Sequence, residues 1–312
     1  MSPSRGLIRL TPPLHQLLTH PPTTPQIFRS LSHNPTFNLA LEHHLFTTLP
    51  PTTPHLLLYR NTPSIIIGRN QNPWVETAHH LLLTQSTIQL LRRRSGGGTV
   101  YHDLGNINYH VSVPTASFDR DTHAKMVVRA LRRIGIPHAV VNKRHDIVIT
   151  PTSSTPPPAE VEKLEEETPE GTRKVSGSAY KLTRLRSYHH GTMLLDTDLR
   201  NVRTMLKSPI KDITRARGVA SVPSPVENVG VPVKEFVDAV MDEFCVLYGD
   251  GAREMGVAEV AEEEAMEIPE VRKGVEELRS VEWVYGQTPR CIKETSIHVP
   301  QLKYDANIYD EH

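Results

Sequence analysis

Apolar and polar positions along the chain switch between two periods, and the switches mark out an α/β protein. Asn34-Pro35 opens the first clear helix, because Asn is a good N-cap and Pro suits the first helical position. Phe37, Leu41, His44 and Leu45 then share one helical face. His55 to Tyr59 and Ser64 to Ile67 read as strands, the second running into the polar tail Gly68-Arg69-Asn70-Gln71-Asn72. Pro73 starts a helix through about Leu83, and Thr87 to Leu91 is a further strand. Ile107, Tyr109, Val111 and Val113 alternate with Asn108, His110 and Ser112, which predicts a half-buried strand with one polar face. Asp121 to about Ile134 is an amphipathic helix with Met126, Val127, Ala130, Leu131 and Ile134 inward, stopped at Gly135.

Two stretches stand apart from this framework. Arg92-Arg93-Arg94-Ser95-Gly96-Gly97-Gly98-Thr99-Val100-Tyr101-His102-Asp103 joins a strand to a strand through three glycines. Glycine permits positive φ and close approach of a ligand, and successive N–H groups in such a turn suit an anion. Arginine adds fixed charge and forked donors. A bare glycine triplet is also an ordinary turn, and an arginine triplet an ordinary solvated face. The stretch is not a P-loop, because no Lys-Ser or Lys-Thr follows at the required spacing, nor a dinucleotide fingerprint, because Tyr101 stands where a third glycine belongs. No helix follows the turn, so side-chain cations rather than a helix dipole must supply the positive potential. If the strand continues into the triplet, Arg93 faces the ligand and Arg92 and Arg94 face away.

The second stretch is Arg173-Lys174-Val175-Ser176-Gly177-Ser178-Ala179-Tyr180-Lys181. Alternation puts Lys174, Ser176, Ser178 and Tyr180 on one face and Val175, Gly177 and Ala179 on the other. Upstream, His145 to Ile149 is a strand with Asp146 at its head, against strand propensity; a carboxylate there serves a lysine, a metal-bound water or a turn. Thr150 to Thr172, rich in Pro, Thr, Ser and Glu, reads as a disordered surface insertion leading into Lys174. Tyr188 to Leu195 is a strand containing His189-His190-Gly191, and Asp198 begins a short helix to about Leu206. After the Ser221–Asn228 loop the character shifts to acidic helices at roughly 232–249 and 257–280, then to a strand and turn over Val281 to Pro289. A domain boundary is expected near 229.

Composition narrows the classes. Thirty-five Lys and Arg balance 35 Asp and Glu over 312 residues, so no broad field for nucleic acid is implied. No apolar run reaches membrane-spanning length. Cys245 and Cys291 match no ligand spacing and imply a reduced compartment. Among 17 histidines there is no His-Glu-x-x-His, and His189 and His190 would point to opposite strand faces, so no metal site is assigned to protein side chains. Residues 1–30 contain Arg5, Arg9 and Arg29, several Ser and Thr, and no acid, the pattern of a mitochondrial transit segment.

Arg93 through Asn108 and Lys174 through Lys181 together resemble the lipoate–protein ligase A and lipoyltransferase family, as do Gly68 through Trp74, His189-His190-Gly191-Thr192 and Trp283 through Pro289. The motifs occur in the family's order over about residues 34–295 and look like those of a mitochondrial, fungal-like member. The resemblance implies a mixed-sheet α/β (α+β) catalytic domain of the biotin/lipoate–protein ligase type over 31–229, followed by a smaller accessory domain over 230–312. It implies an enzyme that activates lipoate with ATP and Mg²⁺ to lipoyl-AMP and pyrophosphate. The lipoyl group then passes to a lysine on lipoyl domains of 2-oxoacid dehydrogenase E2 subunits and the glycine-cleavage H protein, in the mitochondrial matrix. By motif position, Arg93, Gly98, Thr99, Val100 and Tyr101 would contact the nucleotide, and Lys174 both substrates and the reaction. Arg69, Gly96, Gly97, Gly177 and His190 would line the lipoate side, and Asp146 would position the lysine or a metal. The chain ends soon after Trp283-Val284-Tyr285-Gly286, where the family's accessory domain continues. An incomplete accessory domain, and a lipoyltransferase lacking the activation step, is therefore the alternative expectation.

Overall fold

The computed structural model describes residues 14–19, 23–82, 84, 87–153, 155–158, 160–164, 168–211, 214–249 and 251–293. Most of the expected transit segment and of the C-terminal tail lies outside these residues.

A six-stranded mixed sheet forms the centre. It contains β1 (Gln26–Ser30), β2 (His55–Arg60), β6 (Asn106–Pro114), β10 (Ser178–Leu182), β11 (Arg186–Leu194) and β13 (Val257–Val260), in the order β10-β11-β6-β2-β1-β13. The pairs β10–β11, β11–β6 and β6–β2 are antiparallel, whereas β2–β1 and β1–β13 are parallel. A second sheet joins β3 (Ser64–Ile67) to β4 (Gln89–Arg92) in parallel and to β5 (Val100–His102) antiparallel. A third sets β7 (Ala139–Val141), β8 (Ile147–Ile149) and β9 (Arg173–Ser176) antiparallel. A short pair links β12 (Thr214–Ala216) and β14 (Cys291–Lys293).

Helices cover both faces of the large sheet. On one face α5 (Thr122–Arg133) and α7 (Val233–Tyr248) pack over Ile107, Tyr109, Val111 and Val113. On the other, α2 (Pro35–Thr48) lies between Phe28, Leu57 and Tyr59 below and Val271, Val275 and Leu278 of α10 (Pro269–Arg279) above. Asn34 caps α2 by accepting from the N–H groups of Thr36 and Phe37. The remaining helices are short: α1 (Leu14–Thr19), α3 (Pro73–Glu76), α4 (His79–Leu82), α6 (Leu199–Met205), α8 (Gly251–Met255), α9 (Glu262–Met266) and α11 (Val281–Val284).

Five expectations are corrected. The polar face of β6 is not solvated: Asn108, His110 and Ser112 are buried, because α2 covers that face. Strand alternation reports two chemically different faces, not which of them meets water. The helix expected over 73–83 breaks into α3 and α4 at Thr77, whose backbone is extended. The helix expected from 257 begins instead with β13, whose Val257, Ala258, Glu259 and Val260 register with Ile27 to Ser30 of β1. The strand expected at 281–289 starts as α11, capped by the Ser280 side chain on the N–H of Trp283. The 150–172 insertion is docked where it is described. Val141 accepts the N–H of Leu164 and donates to Glu162, Lys163 pairs with Asp121, and Glu162 pairs with Arg129. Two charge pairs anchor a segment that has little apolar surface of its own.

The boundary expected near 229 does not divide the packing. α7 shares a core with α5, β13 extends the central sheet, and α10 packs on α2, with Ala40 3.3 Å from where a Cβ on Gly274 would lie. Residues 233–284 are thus layers of the same body. The driving force is burial: apolar residues of α2 meet both the sheet and α10, and only a second layer removes its outer side from water.

The interior also holds histidines kept neutral by burial. Burial pushes both His102 and His123 down to about 3, with nearby Arg93 adding to the effect on His102 and His110 to that on His123. Their unfolded values lie near 6.5, so the unfolded chain binds more protons between pH 6.5 and 3. Stability from these groups is therefore full above 6.5 and lost as pH falls. Going from pH 7.5 to 5.5 is expected to cost about 2–3 kcal/mol through these two residues, measured as urea midpoints at the two pH values.

Candidate functional site

The glycine turn is shaped from within by Arg93. Its Nε donates to Ser95 Oγ at 2.9 Å, Nη1 to the Ile66 carbonyl at 3.0 Å, and Nη2 to the carbonyls of Gly96 and Gly98 at 2.6 and 2.7 Å. Gly97 sits at φ +87°, and a Cβ on Gly68 would lie 2.1 Å from the Gly97 carbonyl oxygen. The turn therefore needs glycine at both positions. Around it Gln71 accepts from Gly68 N–H and Thr99 Oγ1 and donates to the Val219 carbonyl and Ser221 Oγ, while Ser221 Oγ accepts from Thr99 N–H. The 219–222 loop is thereby stitched to the turn.

The other wall comes from β8, β9 and β10. A tight turn at Asn142–His145, with His145 at φ 63°, brings Asp146 to the head of β8. Lys174 Nζ reaches Asp146 Oδ1 at 2.9 Å. The Lys174 backbone is fixed by donating to the Pro225 carbonyl and accepting from Glu227 N–H. A Cβ on Gly177 would stand 3.4 Å from the lysine Cε and Nζ, so the glycine gives the side chain its room. The alternation expected from Lys174 to Tyr180 breaks at Gly177, where β9 ends and β10 begins in another sheet. Ser176 lines the larger cavity and Ser178 the smaller, and they also bond to Tyr109 OH and His189.

Between the walls lie two cavities. The smaller, of about 310 Å³, has Leu39, Tyr59 and Ile66 in its lining, with Lys174, Asp146 and Arg144 also present. The larger, of about 690 Å³, is lined by Val100, Tyr101 and Leu194 and bordered by Arg173, Arg203, Lys207 and Lys211. Lys174, Gly177, Thr99, Val100, Thr192, Ser221 and Val222 line both, so the cavities adjoin at the lysine. The arrangement offers an apolar slot and a wider cationic chamber that share a single ammonium group.

Of the residues singled out in the sequence, Arg93, Gly97, Gly98, Thr99, Val100, Asp146, Lys174, Gly177 and His190 line the smaller cavity, and Tyr101 lines the larger. Arg69 and Gly96 line neither. The Arg69 guanidinium lies 4.4 Å from the Trp283 ring centroid, and Arg94 lies 4.6 Å from the same ring and pairs with Glu277. Arg93 faces the cavity, but most of its donors are already committed to the turn, which makes it a shaper of the ligand's seat. Arg92 is fully buried and donates to the carbonyls of Gly68, Arg69, Gln71 and Val284 and to Thr288 Oγ1. Sequence reasoning missed Leu39, Asn108, Gln71 and Glu42. Gln71 was visible as part of a polar tail after an apolar strand; Glu42 looked like an ordinary helix acid.

Glu42, His110 and His190 are buried with their ligand-type atoms within 4.8 Å of one another. His190 Nδ1 lies 3.0 Å and His110 Nδ1 3.4 Å from Glu42 Oε2, which also accepts from Tyr59 OH at 3.0 Å. The carboxylate is already served by two donors, Tyr59 OH and His190 Nδ1, and His110 Nδ1 stands near it without a hydrogen bond. Burial alone would raise the Glu42 carboxyl, but the adjacent His190 and His110 outweigh it and hold it well below the ordinary carboxylate range.

Comparison with known proteins agrees with this geometry. The family model of the lipoyl protein ligase A/B catalytic domain matches residues 34–245. A Schizosaccharomyces pombe protein named "Putative lipoate-protein ligase A" is 40% identical over 279 residues, covering 83% of this chain and 70% of the relative. The crystal structure of P. falciparum LipL1 in complex with lipoate superposes with a TM-score of 0.65 at 24% identity, over 85% of this chain and 75% of the other. A crystal structure of lipoate-protein ligase A bound with ATP gives 0.59 at 23%, over 85% and 99%. The extent of the family match and the identity to the yeast relative are decisive: the chain belongs to the lipoyl protein ligase A/B catalytic family.

Proposed function

We propose that the protein is a lipoate–protein ligase that forms an acyl-adenylate and passes its acyl group to a protein lysine. The observation that carries this reading is the junction of the two cavities at Lys174. A dithiolane acid needs an apolar slot closed by a cation at the carboxylate end, and a nucleotide triphosphate needs a roomy, cationic chamber. The lipoate carboxylate oxygen attacks the α-phosphorus, the bond from that phosphorus to the bridging oxygen breaks, and pyrophosphate leaves. A carboxylate is already nucleophilic, so the barrier is one of charge and position, and fixed donors suffice. Lys174 faces both anions, and the glycine turn keeps the seat rigid. Mg²⁺ bound with the nucleotide would supply positive charge to offset that of the departing pyrophosphate. Asp146 and Glu227 are the lining carboxylates among the described residues, and Asp146 is engaged with Lys174, so oxygen ligands from nucleotide and water fit this donor set better than a protein cage. In the second step the acceptor amine, having lost a proton, attacks the acyl carbon, and AMP leaves.

The acceptors are lipoyl domains of 2-oxoacid dehydrogenase E2 subunits and the glycine-cleavage H protein, and the site of action is the mitochondrial matrix. The acid-free start of the chain with Arg5 and Arg9 supports that address. Pyrophosphate release from ATP and free lipoate, without acceptor, tests the activation step. Stoichiometric release is expected. No release from folded protein that still acylates a lipoyl domain from preformed lipoyl-AMP would make it a lipoyltransferase instead.

A further inference from the structure

The side chains that shape the glycine turn form one directed chain of hydrogen bonds that ends behind the cavity wall. Arg93 Nε donates to Ser95 Oγ at 2.9 Å. Ser95 Oγ lies 2.7 Å from His190 Nε2. His190 Nδ1 lies 3.0 and 3.2 Å from the two carboxylate oxygens of Glu42. His190 lines the smaller cavity and Glu42 does not. Glu42 projects from α2, on the far side of His190, and is 4% exposed.

The direction of this chain follows from what each group can do. An ionised carboxylate only accepts, so the hydrogen between Glu42 and His190 sits on Nδ1. Ser95 Oγ takes the Arg93 hydrogen and has its own to place, and His190 Nε2 is the acceptor beside it. The donors thus run from Arg93 through Ser95 and His190 to Glu42. We propose that Glu42 is a positioning residue: by accepting from Nδ1 it fixes the tautomer and plane of His190, and through Ser95 it holds Arg93 against the Gly96 and Gly98 carbonyls, so that the acyl slot is formed before substrate arrives. This rests on the ligase reading above for the identity of the acyl group, but not for the tautomer.

Tyr59 supports the assignment. It lines the same cavity, and its hydroxyl donates to Glu42 Oε2 at 3.0 Å. A single buried carboxylate therefore orients two side chains of the slot, Tyr59 and His190, while His110 Nδ1 stands 3.4 Å from the same oxygen. A carboxamide has one oxygen to serve both Tyr59 and His190, so Glu42→Gln keeps the volume and loosens the array.

The experiment is ¹⁵N NMR of histidine-labelled free protein, paired with steady-state kinetics. In the wild type His190 is expected as a single Nδ1–H tautomer. In Glu42→Gln a mixture of tautomers is expected, with KM for lipoate raised about tenfold, the scale of one hydrogen bond to a charged group, and KM for ATP within about twofold. Glu42→Asp, which restores a carboxylate, should recover the Nδ1–H signal in part. A single Nδ1–H tautomer in Glu42→Gln, or an unchanged KM for lipoate, overturns the proposal. Should Glu42→Gln fail to fold, Ser95→Ala tests the chain from its other end: His190 keeps Nδ1–H, and KM for lipoate still rises. An unchanged KM there overturns the proposal equally. Absence of lipoate activation by the wild type would remove the ligase reading and leave the tautomer measurement standing.

Discussion

Lys174→Ala is expected to lower acyl-adenylate formation by about 10²–10³-fold, the loss typical of one preorganised donor at a developing charge. The reason lies in where the side chain stands. Its ammonium is the cation that lines both cavities, 2.9 Å from Asp146 and with its room provided by Gly177. Two anions must approach each other there, and no other lysine lines both cavities among the described residues. The fold should survive. The side chain is 23% exposed and the cavity admits water, which takes over the Asp146 carboxylate, so the stability loss is about 1 kcal/mol or less. The check is pyrophosphate release alongside a thermal melt. Near-normal release by Lys174→Ala would move the chemistry away from the cavity junction.

Arg92→Met is expected to act the opposite way, through stability. The guanidinium is fully buried and satisfies four carbonyls and one hydroxyl from two distant segments, Gly68–Gln71 and Val284–Thr288. Burial, and to a lesser extent Arg69, pushes its pKa down to about 10, which leaves it charged at neutral pH. Removing the donors strands buried acceptors, and a loss of about 3–5 kcal/mol follows, as for breaking a buried charge network from one side. Trp283 Nε1 donates to the Arg92 carbonyl at 2.7 Å, so α11 should loosen along with the Gly68 turn. Arg94→Ala removes a partly exposed pair with Glu277 and should cost about 1 kcal/mol or less. Urea unfolding of the two variants side by side measures the contrast; equal losses would show that Arg92 is no clamp.

How far the sequence could be read depends on what each residue reports locally. Asn34-Pro35 and the inward face of α5 carry their own instructions, a cap and a 3.6-residue period, and both occur as expected. The polar face of β6 was legible as a face but not as buried, because its cover, α2, is remote in sequence. The arginine triplet was legible as one arginine facing the ligand and two facing away, yet what each of them holds was not. Arg92 clamps backbone, Arg93 shapes the turn and Arg94 stacks on Trp283, which depends on partners up to 196 residues away. The placement of β13 beside β1 and the docking of Glu162 and Lys163 on α5 and its N-terminal flank are likewise long-range pairings with no local signal. Glu42 was invisible for the same reason: its partner His190 lies 148 residues on.

The central claim, that acyl group and nucleotide occupy adjoining cavities on either side of Lys174, is tested most directly by a crystal structure with a non-hydrolysable lipoyl-adenylate analogue. The acyl chain is expected between Leu39, Tyr59 and Ile66, the nucleoside in the larger cavity beside Tyr101 and Leu194, and Lys174 Nζ in hydrogen-bond contact with the linking phosphate. An acyl chain in the larger cavity, or a linking phosphate out of reach of Lys174, would contradict it.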